Sequence, residues 1–264
     1  MSFRDKCISL RGIAEENTKN AIIEPVSEET RLAICISGHM RKYHNTVDDF
    51  FKNVVNIFPG KIKPDIFICT YSQYDHSGYA GGKCGGGRGN WEKNVSESDI
   101  RKVYGPKDLI IFDDDLSEAH KKWAEIPHHP TQPLGAVLCT SNYAGGINQF
   151  NKMIKCMEML PDDIHYDVIM KYRSDIISDC PFPWDKIDLS CVNTDYNESH
   201  GGVCDRWWVT TQDKHSRILN NWFDHIFDMK SKSTLSPEGH LMLKMEKEKL
   251  NVRLIKWGRT HLLR

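Results

Sequence analysis

Two segments of the chain place charged side chains directly after short apolar runs, where buried strands are expected to end. The first, Asp113-Asp114-Asp115, contains an Asp-x-Asp, in which two carboxylates can hold a divalent cation against a diphosphate. The second, Arg173-Ser174-Asp175, offers one carboxylate for a metal and one guanidinium for a phosphate. Both segments therefore point to chemistry on a ligand that carries phosphate groups.

Each of these segments also has a structural interpretation. Asp115-Leu116-Ser117-Glu118 has the pattern of a capped helix start, so 113–115 can be a helix cap or a solvated loop. That interpretation is weaker for Arg173 and Asp175, because an Arg and an Asp that close a buried strand need a partner. Signature phosphate loops are missing: the sequence holds no Gly-x-x-x-x-Gly-Lys-Ser/Thr, and no Gly-x-Gly-x-x-Gly follows the first apolar run.

The elements that must position these residues alternate in type from Arg31 onward. Short, continuous apolar runs predict buried strands, and the stretches between them have helical spacing, which together indicate βαβ units and an α/β fold with a mainly parallel central sheet flanked by helices. Ligands of such sheets bind at the carboxyl ends of the strands. The predicted strands are 32–36, 65–70, 109–112, 166–177, 190–195, 206–210 and 252–257, and the predicted helices are 44–58, 96–104, 145–160, 214–229 and 237–250.

The domain organisation follows from this alternation. Residues 1–30 are charged and weakly periodic, and we expect a leader that packs as a short helix. We expect one domain over 31–264, with a nucleotide-binding half at 31–177 and a more mixed substrate-binding half at 178–264. The glycine-rich stretch at 78–89 predicts a flexible surface loop.

Composition excludes several classes of protein. The 264 residues include 35 Lys+Arg and 36 Asp+Glu, and no long basic run is present, which argues against a nucleic-acid partner. No apolar stretch approaches the roughly 20 residues of a membrane helix, and no secretory signal is expected. The nine cysteines form no Cys-x-x-Cys, so we expect reduced thiols, no structural zinc and a cytoplasmic protein.

Five segments, taken in order and spacing, resemble a known enzyme family. They are Arg31–Arg41, Pro64–Tyr71, Tyr166–Asp175, Cys204–Val209 and Ser236–Gly239. The series is similar to that of GT-A type nucleotide-sugar glycosyltransferases, in particular the bacterial polysaccharide and lipopolysaccharide enzymes and those of large DNA viruses. The resemblance spans about 31–257 and implies a GT-A-like fold, with a Rossmann-like nucleotide-binding half and a mixed acceptor-binding half.

The same resemblance implies a donor site at the ends of three strands. It places Arg173 where the family has the first acid of its Asp-x-Asp, and it makes Asp175 the metal ligand. The cation, Mn²⁺ or Mg²⁺, becomes dispensable if Arg173 takes over part of its work. The remaining donor-binding residues that it implies are Ser37, Gly38, Arg41, Thr70 and Tyr71.

On the acceptor side the resemblance implies two candidate general bases, Asp205 and Glu238. Asp205 can also simply pair with Arg206, and Glu238 stands at a helix start where the dipole favours an acid. Trp207 and Trp208 point to opposite faces if 206–210 is a strand, so we expect one to be core and the other to stack on an acceptor sugar. A core position for both is the alternative.

These observations predict a hexosyl- or pentosyltransferase that uses a nucleoside diphosphate sugar and a glycan or glycoprotein acceptor. We expect a monomer or homodimer, acting in the host cytoplasm if the chain is viral. One alternative is a metal-dependent phosphohydrolase or nucleotidyltransferase that uses Asp113–Asp115. The other is a non-catalytic carbohydrate-binding protein that uses an exposed tryptophan.

Overall fold

The computed structural model describes most of the chain. The described residues are 3–20, 23–40, 42–72, 94–112, 150–196, 203–230 and 237–262. Four sequence predictions lie outside them: the glycine-rich stretch at 78–89, the acidic segment Asp113–Asp115, the helix start at 145–149, and Arg41.

A mixed seven-stranded sheet forms the centre of the fold, in the order β3-β2-β1-β4-β7-β6-β8. β1, β2, β3 and β4 are mutually parallel, and β7 is antiparallel to both of its neighbours, whereas β6 and β8 pair in parallel. A two-stranded antiparallel sheet, β5 with β9, lies beside it. The strands are β1 Leu32–Ser37, β2 Asp65–Tyr71, β3 Asp108–Phe112, β4 Val168–Tyr172, β5 Ile176–Ser178, β6 Val192–Asp195, β7 Trp208–Thr210, β8 Val252–Ile255 and β9 Thr260–Leu262.

Helices flank this sheet, so the predicted α/β class with a mainly parallel sheet is confirmed. They are α1 Phe3–Asn20, α2 Tyr43–Phe50, α3 Glu97–Tyr104, α4 over 150–158, α5 Gln212–Leu219, α6 Trp222–Lys230 and α7 Pro237–Lys247. A π-helical turn, Phe51–Val55, continues α2, and a 3₁₀ turn spans Trp184–Lys186. None of the described helices is long and apolar enough to span a membrane.

Alternation along the strands gives the sheet two buried faces. On β1, Leu32, Ile34 and Ile36 pack with α2 on one face, while Ala33 and Cys35 meet α4 on the other. All six residues of β1 are buried, which explains why a continuous apolar run rather than an alternating one marks this strand.

Three elements differ from their predictions. The run at 166–177 is not one strand, because the chain turns at Arg173–Asp175 and Ile176 then pairs with Leu262 in the small sheet. The single helix expected at 214–229 is two, because Asn221 adopts a positive φ of 50° between α5 and α6. The strand β9 has no counterpart among the predictions.

The amino-terminal segment forms a helix, as expected, but a long one that packs on the carboxyl-terminal half. Cys7 and Ala14 of α1 are buried, and the backbone N–H of Leu254 in β8 donates to Thr18 Oγ1 at 2.9 Å. Lys6 pairs with Glu246 of α7 at 2.8 Å. The helix therefore covers the outer edge of β8, where unpaired backbone groups would otherwise be left open.

Buried histidines make the fold sensitive to acid. His215 of α5 is fully enclosed, and its Nδ1 accepts a 3.0 Å hydrogen bond from Trp208 Nε1. Burial, with a smaller contribution from the Lys171 charge, lowers the pKa of His215 to about 3. The unfolded chain takes up a proton near pH 6.5 and the folded chain does not, so folding stability falls as the pH drops from about 6.5 towards 3.

We expect His215→Asn to weaken this acid sensitivity, because the amide oxygen can still accept from Trp208 but the side chain does not titrate. Between pH 7 and 4.5 the variant should lose about 2–3 kcal/mol less free energy of unfolding than the wild type. Urea unfolding at both pH values measures the difference. Equal losses in the two proteins would contradict the assignment of this proton to His215.

Candidate functional site

The order of the strands reverses between β1 and β4. The chain adds β2 and then β3 on one side of β1 and places β4 on the other side. In open α/β sheets a ligand crevice forms at such a reversal, outside the carboxyl ends of the two strands. The residues that follow β1 and β4 are therefore the first place to look for a binding site.

An ion pair closes β4 at this reversal. Arg173 donates from Nε to Asp175 Oδ1 at 2.9 Å and from Nη2 to Asp175 Oδ2 at 2.7 Å. The contact is bidentate, and the two residues are separated in sequence only by Ser174. The Asp175 side chain is 2% exposed and that of Arg173 is 18% exposed. Arg173 is thus the member of the pair whose side chain solvent and a ligand can reach.

A second carboxylate stands close to the same guanidinium. Asp205 Oδ2 lies 3.9 Å from Arg173 Nη1, and its side chain is 13% exposed. Burial by itself would lower the pKa of Arg173, but the charge and hydrogen bonds of Asp175, together with the Asp205 charge, raise it above its usual value. Arg173 therefore stays a cation, flanked by two acids, at the strand-order reversal.

Lys171 holds the segment that carries Asp205. It is completely buried within β4, and its Nζ donates to the backbone carbonyl of Asp205 and, at 3.4 Å, to that of Arg206. Burial lowers the pKa of Lys171 to about 8, with the Asp205 charge opposing this shift and the Arg173 charge adding to it. A lysine inside an apolar strand needs such partners, and this is the signal that the sequence offers for Lys171. The residue was not among the sequence candidates.

The end of β1 contributes backbone geometry and one hydroxyl. Gly38 has a φ of 136°, which side chains other than hydrogen rarely allow, and its N–H donates to the carbonyl of Cys69 at 3.4 Å. Ser37 Oγ is buried and has no hydrogen-bond partner among the described residues. A buried hydroxyl without a partner at a strand end is a group that a ligand can satisfy.

Hydrogen bonds tie the turn after β4 to the loop after β1. Ser174 Oγ donates to the backbone carbonyl of His39 at 2.9 Å, and Thr46 Oγ1 of α2 donates to the carbonyl of Ser174 at 2.5 Å. Farther along, Asp49 Oδ2 accepts from the backbone N–H of Ser178 at 3.0 Å. The position of Arg173 and Asp175 is therefore fixed to α2 as well as to the sheet.

Thr70 and Tyr71 end β2 on the other side of β1, and both are completely buried. Tyr71 packs edge-on against Phe112 at 4.8 Å between ring centroids and lies 5.2 Å from the His39 ring. The ammonium of Lys152, a buried residue of α4, lies 3.5 Å from the Tyr71 ring centroid. These buried side chains pack around the end of β2. Lys152 was not among the sequence candidates because it lies in an apolar, periodic helix.

Glu238 stands in the first turn of α7, beside the segment that leads to Asp205. Its backbone carbonyl accepts from the N–H of Val203 at 3.4 Å. The helix start that the sequence predicted is present, so the positive end of the helix dipole lies at this carboxylate. The structure thus brings both candidate bases to the 203–207 segment, and it places Asp205 against Arg173.

Trp207 and Trp208 are both completely buried, which corrects the expectation that one of them is exposed for stacking on a sugar. They point to opposite faces, as expected. Trp207 packs edge-on against Phe182 at 5.0 Å, and Trp208 bonds to His215. Because helices or loops cover both faces of the sheet here, neither indole is available, and the alternative of a core position for both is the one observed.

The metal-ligating capacity of this cluster is limited in the described conformation. Both oxygens of Asp175 already accept from Arg173, and the described residues include no group of three His, Cys, Asp or Glu side chains arranged to hold a metal ion. A cation at Asp175 would share these oxygens with the Arg173 guanidinium, which repels it. Asp195, which ends β6 and accepts from Thr260 Oγ1 at 3.2 Å, is a further buried acid that sequence reasoning missed.

Comparison with known proteins adds no family to this description. No protein-family model and no curated protein sequence matches the chain. The interpretation of the site therefore depends on its geometry and on the residues that form it.

A cavity of about 570 Å³ lies elsewhere in the described part of the chain. It opens between α4 and the turn that joins α5 to α6, and Met157, Leu219 and Trp222 line it. Its charged lining residues are two acids, Glu158 and Asp224, with no cation among them. It therefore lacks the groups that bind phosphate, and the strand ends remain the better candidate site.

The Arg173–Asp175 pair should behave as a coupled, mostly buried unit. We expect Asp175→Ala and Arg173→Met each to lower the free energy of unfolding by about 1–3 kcal/mol, because each removes the two-pronged partner of a mostly buried charge. The double variant should lose less than the sum by at least about 1 kcal/mol. Urea unfolding of the four proteins measures this coupling. The exposed pair of Glu97 and Arg101, 2.8 Å apart on α3, is the control and should couple by about 0.5 kcal/mol or less. Strict additivity at 173 and 175 would contradict the description.

Proposed function

We propose that the chain is a GT-A-like glycosyltransferase, which moves a sugar from a nucleoside diphosphate sugar to a hydroxyl of a glycan or glycoprotein acceptor. The observation that carries the proposal is the cluster of Arg173, Asp175 and Asp205 at the strand-order reversal. It combines a reachable cation for a departing diphosphate with an acid for an acceptor hydroxyl. The resemblance of five sequence segments to nucleotide-sugar glycosyltransferases supports the same reaction.

In the proposed reaction the bond between the anomeric carbon and the diphosphate breaks, and the diphosphate leaves with the electron pair. Arg173 offsets the charge that develops there, because a guanidinium pairs well with phosphate oxygens and remains protonated. It exchanges part of its contact with Asp175 for the ligand. We place the nucleotide beside Ser37 and Gly38, at the end of the neighbouring strand.

The acceptor hydroxyl must lose a proton as it attacks the sugar. Asp205 is the preferred base, since it lies 3.9 Å from Arg173 and hence next to the reacting bond, with Glu238 as the second candidate. A positioned general base contributes about 10²–10⁴-fold to a rate. Asp205→Asn should therefore lower kcat by about that factor while nucleotide binding is retained, and Glu238→Gln should have the smaller effect.

Mn²⁺ or Mg²⁺ at Asp175 stays a prediction of the resemblance, and no step above depends on it. Because Arg173 occupies both Asp175 oxygens, we propose that the guanidinium supplies most of the positive charge at the diphosphate. Activity that persists in EDTA at more than about a tenth of its value in Mn²⁺ supports this assignment, and activity that disappears with EDTA contradicts it.

The structure bears on only one of the two rival functions. The acids required by a phosphohydrolase or nucleotidyltransferase, Asp113–Asp115, lie outside the described residues. A binding protein that uses Trp207 or Trp208 is disfavoured, because both side chains are buried, as are Trp184, Trp222 and Trp257 in the described part of the chain.

A thermal-shift screen of the protein against UDP, GDP, CMP and dTDP, each with and without Mn²⁺, tests the proposal. A nucleotide at 100 times its Kd adds about 2.7 kcal/mol and should raise Tm by about 5–10 °C. Arg173→Ala should weaken that nucleotide at least about tenfold, since charge-assisted hydrogen bonds are lost. Arg101→Ala, which removes an exposed arginine of α3, is the matched control. If no nucleotide shifts Tm, or if Arg173→Ala responds like the control, the donor-site assignment is wrong.

A further inference from the structure

A second cavity, of about 280 Å³, lies at the outer edge of the sheet. It is formed by the edge strand β8, the end of α1, the 3₁₀ turn Trp184–Lys186, and Tyr196, the residue after β6. The cavity shares no residue with the Arg173 cluster. Its lining includes three cations, Lys186, Arg253 and Lys256, and no acidic side chain from the described part of the chain.

Arg253 is the central cation, and most of its hydrogen-bonding capacity is unused. The residue is 8% exposed, and neither Nε nor Nη1 has a hydrogen-bond partner among the described residues. Nη1 lies 3.7 Å from Asp188 Oδ2, beyond hydrogen-bond distance. Asp188 Oδ1 is itself engaged by the backbone N–H groups of Glu24 and Ser190. A buried guanidinium in this state calls for a further partner.

Asp188 offsets only one of the three positive charges around the cavity. Lys186 and Lys256 are exposed, and neither forms an ion pair with any residue in the described ranges. A fork-shaped guanidinium at the base with two ammonium groups at the rim is an arrangement that suits a phosphate dianion, whose oxygens accept from both kinds of donor.

The remaining wall of the cavity is apolar and aromatic. Leu254 and Ile255 of β8 line it, and Tyr196, which is 46% exposed, stands at its opening with the Arg11 guanidinium 5.6 Å from its ring centroid. Such a surface can receive the organic part of a phosphate ester next to the charged base.

We propose that this cavity is a binding site for a phosphate group, held by Arg253 at the base and by Lys186 and Lys256 at the rim. The site is separate from the Arg173 crevice and does not depend on the glycosyltransferase proposal. Its phosphate can belong to the free ion or to an organic ester, and the two are distinguished by comparing inorganic phosphate with phenyl phosphate.

Isothermal titration of the full chain with inorganic phosphate, at constant ionic strength in chloride, tests this site. We expect saturable binding that Lys186→Ala/Lys256→Ala weakens at least about tenfold, since two charged donors are lost. The double variant Lys52→Ala/Lys63→Ala removes two exposed lysines from elsewhere and should bind like the wild type. Arg253→Gln should abolish binding, and the rim variant keeps the test valid if this buried substitution impairs folding.

Phenyl phosphate that binds more tightly than inorganic phosphate assigns the site to an ester, and equal binding assigns it to the free ion. Three results would overturn the proposal: no saturable heat, equal weakening by the rim and control variants, or binding lost in Arg173→Ala but kept in Lys186→Ala/Lys256→Ala. The last result would move the phosphate to the Arg173 crevice.

Discussion

The contact between Arg173 and Asp175 determines the geometry of the sheet where its order reverses. A buried carboxylate is costly unless it is paired, and the turn at the end of β4 lets Arg173 reach both oxygens of Asp175, whose side chain is 2% exposed. That turn stops β4 at Tyr172 and sends Ile176 into the small sheet. The same contact leaves the Arg173 side chain 18% exposed, which makes a structural ion pair suitable for binding an anion.

Three hydrogen bonds from neighbouring side chains fix the segments that carry this pair and Asp205. Ser174 bonds to the loop after β1, Thr46 of α2 bonds to the turn itself, and Lys171 anchors the segment that brings Asp205 to Arg173. Each of these contacts uses a backbone carbonyl, so the loops are fixed by main-chain position rather than by side-chain packing alone. Such support is what a site needs if its charges are to be in place before a ligand arrives.

The sequence predicted the fold class and the first strands well, because buried parallel strands are continuous apolar runs, as at Leu32–Ser37 and Asp65–Tyr71. It also made Arg173 and Asp175 candidates, because charged residues at the end of a buried apolar strand need a partner. Their mutual pairing was not predictable, because it depends on a backbone turn. The burial of both Trp207 and Trp208 was not predictable either: alternation assigns opposite faces but does not say that both faces are covered.

We propose that a nucleoside diphosphate binds at the carboxyl ends of β1 and β4 and replaces Asp175 as a hydrogen-bond partner of Arg173. A crystal structure of the protein with the nucleotide that gives the largest thermal shift tests it most directly. The account predicts diphosphate oxygens within hydrogen-bond distance of the Arg173 guanidinium, with at least one of its two contacts to Asp175 broken. A nucleotide bound elsewhere, with the Arg173–Asp175 contact unchanged, would contradict it.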